Sequence, residues 1–460
     1  MMNIFYRLII VVLLTVCFPA KADLLSATLD YNDGNYSEAF AEFSRLAKLG
    51  NEDAIFNVGV MFLHGQGVEQ DLAQANAWFR LAADFGLDEA RDAAQLIAAQ
   101  TEHSTLEQAY QALQKSISFR QFEQTLQPIF SAEKFTEKNT EPPLRIHTVD
   151  AKYPQSAYEK GIEGWVWLEF DVDASGAVKD VDIIDAFPDK TFNRAIYNAV
   201  RRWRYEPYRV DGVAQNYSSR SLLYHFTTFK GKRYKASFAS QKKQYQRKIS
   251  ELIESAEQGN ALVQYYIANW LNADEHNATK LLRYHWQQDT ASSDLLLKSA
   301  INGYPNSQYR LGTNLLRGEF TQTDRKKGLN WILNAAQSGF VYAQYRLGRE
   351  LLDKRFVEYD QDKAKRWLTM AANQGHFRAQ RDLIDVLIEN EEFVQAVNYL
   401  TLALEHDAQH PDLWFSQSKM AIKRGDKALA SDAINKAIKY AKEREWHLAK
   451  LQAYQQQHKL

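Results

Sequence analysis

The chain has 460 residues, roughly three times a common domain length, so more than one structural unit is expected. Hydrophobic residues make up 45% and charged residues 25%, a balance that excludes a mainly disordered chain. The 56 basic residues are matched by 57 acidic ones, and this near-neutrality argues against a nucleic-acid-binding protein, which would carry a basic excess.

The first 22 residues have the pattern of an export signal. Arg7 supplies a positive start, residues 8–18 are an apolar run, and residues 20–22 offer the small-x-small pattern that a signal peptidase cleaves. The run is shorter than the roughly 20 residues needed to span a bilayer, so an export signal cleaved after Ala22 is favoured over a membrane anchor. Because Cys17 lies in this segment, a cleaved chain has no cysteine, which excludes disulfides, thiol catalysis and cysteine-liganded zinc.

A period of 36 residues marks helical repeats. Gly303, Gly339 and Gly375 each follow an alanine by three residues, and Trp331 and Trp367 keep the same period. Two amphipathic helices per unit cannot bury their apolar faces alone, so units of this kind stack, while glycine ends a helix in the left-handed conformation. The period therefore predicts a solenoid of stacked helix pairs.

Together with His64-Gly65-Gln66-Gly67-Val68 and Asp71, these positions resemble the Sel-one-like repeat family, a short relative of tetratricopeptide repeats. The resemblance covers roughly 36–98 and 250–390, with an eight-residue insertion near 272–294. Beyond it the period becomes 34, which is similar to tetratricopeptide repeats. Such solenoids are binding scaffolds, so a second protein is expected on the concave face of the repeats.

Residues 141–229 break the helical pattern. Between 166 and 173 apolar and acidic side chains alternate, which predicts a half-buried antiparallel strand, and residues 173–176 form a hairpin turn. The predicted elements are a helix at 153–160, strands at 166–173 and 178–186, a helix at 192–203 and a strand at 219–229. The fold class predicted for the whole chain is multidomain: α-helical repeat solenoids flanking a small α+β domain with an antiparallel three-stranded sheet.

The middle block carries a second resemblance. Tyr153-Pro154, Ala157, Gly161, Gly164, the Gly176 hairpin and Arg201-Arg202-Trp203-Arg204-Tyr205-x-Pro207 resemble the C-terminal domain of TonB energy transducers. The resemblance implies a periplasmic domain that captures an extended segment of an outer-membrane receptor or other envelope protein by strand addition to its last strand. The partner-binding residues are then expected to be Leu222, Leu223, Tyr224, His225 and Phe226, with a basic patch of Arg201, Arg202 and Arg204. The alternative for the three arginines is a solvated helix face beside a buried Trp203.

Two features of a complete transducer are missing. Residues 1–22 contain neither serine nor histidine, and only Pro128, Pro142 and Pro143 stand where a long proline-rich rod would be. We therefore expect a protein-interaction protein linked to receptor transport. The alternatives are a membrane-anchored TonB-type energy transducer for receptor-mediated uptake and a repeat scaffold whose own helices cover the TonB-like edge.

Two further segments leave alternatives open. Trp165 and Trp167 lie on the polar side of their predicted strand, so they either pack under a repeat helix or face a partner. Residues 230–250 contain eight basic residues and no acidic one. This stretch is interpreted as a solvated linker or as a contact with an anionic surface such as peptidoglycan or lipid headgroups.

No pattern in the chain indicates catalysis, so an enzyme is not expected and no cofactor is predicted. His406 and His410 have helical spacing, but they lack a third ligand and predict no metal site. The predicted organisation is a signal peptide at 1–22, Sel-one-like repeats and a helical linker at 23–140, a TonB-like domain at 141–229, a basic linker at 230–250, Sel-one-like repeats at 251–390 and tetratricopeptide-like repeats at 391–460.

Overall fold

The computed structural model describes residues 23–129, 142–227, 246–273, 277–318, 322–353 and 356–460. The expected export signal lies outside the described residues, as does the basic segment up to residue 245. Within the described ranges, no helix combines the length and the apolar character that a membrane span requires.

Seven helices form the N-terminal block. They are α1 (Leu24–Asn32), α2 (Tyr36–Ala47), α3 (Glu52–His64), α4 (Leu72–Asp84), α5 (Asp88–Ala98), α6 (His103–Ser116) and α7 (Phe119–Thr125). Their ends follow local chemistry. The Asn51 side chain caps α3 by accepting from the Ala54 N–H, and Gly65 ends the same helix in the left-handed conformation. Asp71 then caps α4 through the backbone N–H groups of Ala73 and Gln74.

A longer helical array follows the sheet domain. It comprises α10 (246–257), α11 (Ala261–Leu271), α12 (Asn277–Leu282), α13 (Ala291–Ile301), α14 (Pro305–Arg317), α15 (Arg325–Gln337), α16 (Val341–Asp353), α17 (Gln361–Asn373), α18 (Phe377–Glu389), α19 (Phe393–His406), α20 (Pro411–Lys423), α21 (Lys427–Glu443) and α22 (Ala449–His458). The insertion expected near 272–294 contains the short helix α12. At Gly312 and Gly328 the backbones of α14 and α15 approach so closely that a Cβ on either glycine would lie under 3 Å from the other's carbonyl oxygen.

The middle block is a small α+β unit. Its elements are β1 (Arg145–His147), α8 (Gln155–Lys160), β2 (Gly164–Val172), β3 (Val178–Phe187), a 3₁₀ turn (Lys190–Phe192), α9 (Asn193–Val200), β4 (Arg204–Tyr205), β5 (Arg209–Val210), β6 (Val213–Ala214) and β7 (Tyr217–Phe226). The central sheet is antiparallel with the strand order β3-β2-β7. This arrangement, together with the helical repeats, confirms the predicted fold class.

One face of the sheet packs on α9. Val166, Leu168 and Phe170 from β2 meet Phe192 and Ile196 in a core from which water is excluded. Trp203 closes this core, and its indole N–H donates to the Val149 carbonyl at 2.9 Å. The predicted apolar face of this helix is therefore the domain's own core.

The N-terminal block also packs against the array. Gln337 donates to the Gly50 carbonyl at 2.9 Å, and the Trp367 indole N–H donates to the Leu126 carbonyl at the same distance. Asn51, already the cap of α3, donates to Ser338 Oγ at 3.1 Å. These buried bonds join residues more than 200 positions apart, so the first repeats are fastened to the later ones.

Candidate interaction site

The five predicted residues of the last strand lie in β7. Leu222 is paired with Leu168 on β2, and Phe226, at the other end of the stretch, is paired with Gly164. Leu222, Tyr224 and Phe226 pack toward α9, where the Phe226 ring stacks on Phe192 with 4.3 Å between centroids. Their side chains therefore serve the domain's core, and a partner on this strand would meet its backbone first.

The two edges of the sheet differ in what the array does to them. The β3 edge receives array side chains: Tyr342 Oη donates to the Ile183 carbonyl at 2.7 Å, and Arg378 Nη1 to the Asp180 carbonyl at 3.2 Å. Over the described part of the chain, β7 is hydrogen-bonded to one strand, β2, and has no strand on its outer side. Arg317 of α14 donates to the Ser219 carbonyl near the start of β7, so the part of this strand that lacks an outer neighbour among the described strands includes residues 222–226.

The second face of the sheet lies against the array. Trp165 and Trp167 are both 0% exposed. Trp165 meets Tyr265 of α11 edge-on at 5.8 Å between centroids, and Trp167 lies 5.8 Å from Tyr309 of α14. Of the two interpretations of these tryptophans, packing under a repeat helix is confirmed.

Every residue of β2 is buried, so the prediction of a half-buried strand is wrong. Its acidic side chains are covered by array residues and do not face water. Glu169 accepts from Tyr309 Oη at 2.9 Å, and Asp171 accepts from Arg378 at 2.7 Å and from Arg349 at 3.1 Å. Alternation of apolar and acidic residues therefore separates two buried faces here, one apolar and one paired with cations.

The contacts with β3 follow the repeat. The second residue of α14, α16, α18 and α20 reaches this strand in each case, and these residues are 36, 36 and 34 positions apart. Asn306 donates to Asp185 at 2.8 Å, Tyr342 to the Ile183 carbonyl at 2.7 Å and Arg378 to Asp182 at 3.2 Å, and Asp412 accepts from Lys179 at 3.1 Å. The helices thus contact β3 in order along its length, as a repeat array contacts an extended ligand.

Burial and charge act together in this interface. Burial alone would raise the pKa of Asp171, but Arg378 and Arg349 outweigh it and lower that pKa to about 2. Asp180 is likewise held well below its usual pKa by Arg381 and Lys179 in spite of its burial. Burial dominates at Asp182 and raises its pKa to about 6. The cations are therefore needed to keep two of the three carboxylates ionised.

Ligand atoms of Asp180, His410 and Asp412 lie within 4.8 Å of one another. Both carboxylates already bind protein cations, since Arg381 lies 2.6 Å from Asp180 and Lys179 lies 3.1 Å from Asp412. These charges compensate the two acids, so the group acts as an ion-pair cluster. His406, the other histidine of the sequence pair, packs against Phe377 with 4.8 Å between ring centroids instead of joining this group.

The three predicted arginines lie elsewhere. Arg201 and Arg202 follow α9 and are exposed, whereas Arg204 donates to Glu445 beyond α21. All three line a cleft whose floor is the first half of β3, at residues 178–182. Since β3 and β7 are opposite edges of the sheet, the structure does not bring the arginines and residues 222–226 into one site.

The sequence alone does not identify the cations that hold the sheet. Arg349, Arg378 and Arg381 read as ordinary polar positions of amphipathic helices. One signal exists in the chain: the second helix position recurs every 36 or 34 residues with side chains that hydrogen-bond. Acidic residues at 180, 182 and 185 supply matching groups on β3.

Two family models match the chain. Residues 149–227 match the Gram-negative bacterial TonB protein C-terminal family. Residues 52–86, 305–340 and 341–376 each match the Sel1 repeat.

Curated relatives match the same middle block. Protein TonB of Escherichia coli (strain K12) is 43% identical over 65 residues, which are 14% of this chain and 27% of the relative. Protein TonB of Yersinia enterocolitica is 36% identical over 64 residues, 14% of this chain and 25% of the relative. The chain thus spans about a quarter of the length of these relatives.

Solved structures match both parts. A Sel1 repeat protein from Oxalobacter formigenes is 30% identical, with 30% of this chain and 98% of that chain covered and a TM-score of 0.27. The Pseudomonas aeruginosa TonB CTD is 28% identical, with 20% of this chain and 88% of that chain covered and a TM-score of 0.16.

Proposed function

Because residues 149–227 belong to the TonB C-terminal family and Sel1 repeats stand on both sides of them, we propose that the chain is a protein-interaction protein of the bacterial envelope, linked to TonB-type transport. Its sheet domain binds an extended segment of an outer-membrane receptor or other envelope protein. The segment joins the sheet as a fourth strand beside β7. The site of action is the periplasm.

The observation that carries this proposal is the difference between the two edges. An unpaired edge strand presents backbone N–H and C=O groups that an incoming extended segment can satisfy. The array donates to β3 at the Asp180 and Ile183 carbonyls, and it donates to β7 at the Ser219 carbonyl, near the start of that strand. Among the described residues, no strand lies on the outer side of β7 at residues 222–226. Each backbone hydrogen bond gained would contribute about 0.5–1.5 kcal/mol, so a strand-length contact amounts to several kcal/mol before ordering costs.

Proline substitution in β7 tests this directly, with the full chain and a labelled peptide from the N-terminal region of an outer-membrane receptor as the probe. Successive residues of a strand direct their N–H groups to opposite sides, so Leu223→Pro and Tyr224→Pro differ in which side they alter. The variant that retains its thermal unfolding temperature has lost an outward N–H, and we expect it to bind the probe about tenfold more weakly or not at all.

Tyr224→Thr is the matched control, because it removes the ring and keeps the N–H. It should bind the probe within about twofold of the wild-type chain if the contact is to the backbone. If the folded proline variant binds the receptor peptide with unchanged affinity, strand addition at β7 is refuted. That result would favour a repeat scaffold whose own helices cover the β7 edge.

A further inference from the structure

The cleft beside β3 has a volume of about 970 Å³, at the upper end of the size of ligand pockets. It lies between the two units of the chain. Its floor is β3 at residues 178–182, one wall is the end of α9 with the residues that follow it, and the other wall comes from α18 and the ends of α19 and α21. Neither unit alone would form it.

The wall beside α9 is cationic. Arg201 and Arg202 are exposed, and the described residues offer neither of them an ion pair. Tyr197, 41% exposed, stands one helical turn before Arg201 on the same wall. Guanidinium groups present forked donors that match carboxylates, so a wall that carries two of them is suited to an anionic ligand.

The acidic groups of the opposite wall have cations of their own. Arg444 binds both carboxylate oxygens of Asp407, at 2.9 and 2.8 Å, Glu445 accepts from Arg204, and Glu443 lies 4.0 Å from Lys439. The positive charge of Arg201 and Arg202 is therefore not cancelled across the cleft.

The array wall supplies aromatic surface. The ring of Phe377 lies 4.8 Å from His406 and 5.1 Å from His410, and Trp446 meets His410 at 5.3 Å. His410 is 3% exposed, and its Nδ1 has no hydrogen-bond partner among the described residues. In the repeat before it, the corresponding Nδ1 of His376 accepts from the Ala379 N–H. A buried polar atom without a partner is a position that a ligand can satisfy.

We propose that this cleft is a second binding site, which takes an acidic extended peptide segment. Carboxylates of the segment pair with Arg201 and Arg202, and an apolar or aromatic side chain of the segment packs on Phe377 and His406. The size of the cleft, with cationic side chains on one wall and aromatic rings on the other, favours an extended segment that carries both kinds of side chain over a compact anion. This site is separate from β7 and does not depend on strand addition there.

The test is fluorescence anisotropy with the full chain and a short labelled peptide that alternates glutamate with phenylalanine or valine. We expect the double variant R201E/R202E to bind about tenfold more weakly or worse, since two charged hydrogen bonds are lost and repulsion replaces them. The matched control is R120E/R424E, which makes the same change of charge at two exposed arginines outside the cleft. It should bind within about twofold of the wild-type chain.

Two further measurements define the ligand. His406→Ala, which removes an exposed ring from the aromatic wall, should weaken the peptide while leaving the unfolding temperature unchanged. A peptide with glutamine in place of glutamate should bind about as weakly as the glutamate peptide binds R201E/R202E.

Several outcomes would overturn the proposal. The first is that R201E/R202E binds the acidic peptide as well as the wild-type chain does, and the second is that the glutamine peptide binds as well as the glutamate peptide. The third is that inorganic phosphate or anionic lipid vesicles bind as tightly as the peptide and that this binding depends on Arg201 and Arg202. If the folded β7 proline variant no longer bound the acidic peptide while R201E/R202E still did, the acidic peptide would bind at β7. That result would refute the proposed cleft site and leave strand addition at β7 standing. R201E/R202E should still bind the receptor peptide normally.

Discussion

Arg378→Met should loosen the sheet from the helical array more than any exposed charge change. Arg378 is 2% exposed and holds three groups of the sheet. It lies 2.7 Å from Asp171, 3.2 Å from Asp182 and 3.2 Å from the Asp180 carbonyl. Methionine keeps much of the side-chain length without the charge, so the variant tests the ion pairs more than the volume.

The magnitude follows from what is left behind. Removing one partner of a buried ion pair costs about 3–5 kcal/mol, because the remaining charge stays buried without compensation. Arg349 still reaches Asp171 at 3.1 Å, and Asp182 can take up a proton since its pKa is already raised to about 6. Both effects reduce the loss, so we expect about 3 kcal/mol at neutral pH.

Arg91→Met is the matched control. The Arg91–Asp88 pair lies at 3.4 Å with 61% and 88% of the two side chains exposed, and such surface pairs contribute about 0–1 kcal/mol. Urea unfolding followed by circular dichroism measures the free energies, and hydrogen exchange of residues 164–187 reports whether the sheet is the part that opens. A loss below about 1 kcal/mol in Arg378→Met, equal to that of the control, would refute the view that buried charges fasten the sheet.

Two further substitutions test the packing and the charges separately. Gly312→Ala should cost about 1–3 kcal/mol of unfolding free energy, because its Cβ would lie 2.7 Å from the Gly328 carbonyl oxygen. Gly348→Ala should cost less, because the atoms under 3 Å from its Cβ belong to the Leu368 side chain and not to backbone, and equal losses would contradict this. Asp171→Asn should destabilise the chain at pH 7 but not at pH 2. The pKa of Asp171 is about 2 in the folded chain and near 3.9 in the unfolded chain. The ionised carboxylate therefore stabilises the fold in full above about pH 3.9, and this stabilisation is lost as the pH falls through about 2. A difference in unfolding temperature between variant and wild type that stays constant with pH would contradict this.

Much of the fold could be predicted from local signals. The 36-residue glycine and alanine period marks where helices end and cross, and the structure shows the reason at Gly312, where two helix backbones touch. The hairpin turn at residues 173–176 could also be predicted from its residues. Asp173 accepts from the backbone N–H groups of Ser175 and Ala177, and a Cβ on Gly176 would lie 1.9 Å from the Tyr205 carbonyl oxygen.

The second face of the sheet could not be predicted in the same way. Period-two alternation in β2 distinguishes two faces but does not say what covers each one. Glu169 and Asp171 are acidic, so the pattern indicates solvent, yet their partners Tyr309, Arg349 and Arg378 lie 140 to 207 positions away in the chain. Contacts of that separation leave no periodic trace in the strand itself.

The same limit applies to the candidate site. The resemblance pointed to residues 222–226 and to Arg201, Arg202 and Arg204, but it could not say that they belong to opposite edges of the sheet. The resemblance also could not show that five helices of the array contact this sheet. The repeat helices α11, α14, α16, α18 and α20 carry the chain's own domain, so a second protein would have to bind elsewhere on the repeats or displace this domain.

This internal docking connects the two proposed sites. A three-stranded sheet has two edges. The array donates to β3 at the Asp180 and Ile183 carbonyls, and to β7 at Ser218 and Ser219 near the start of that strand, so the proposed fourth strand would lie beside residues 222–226. The same docking creates the cleft, whose two walls come from different units. The ladder between β2 and β7 lies within one unit and does not require the array. Loosening the interface through Arg378→Met should therefore weaken the acidic peptide more than the receptor peptide, because the cleft needs both units in place whereas the β7 edge needs only its own sheet.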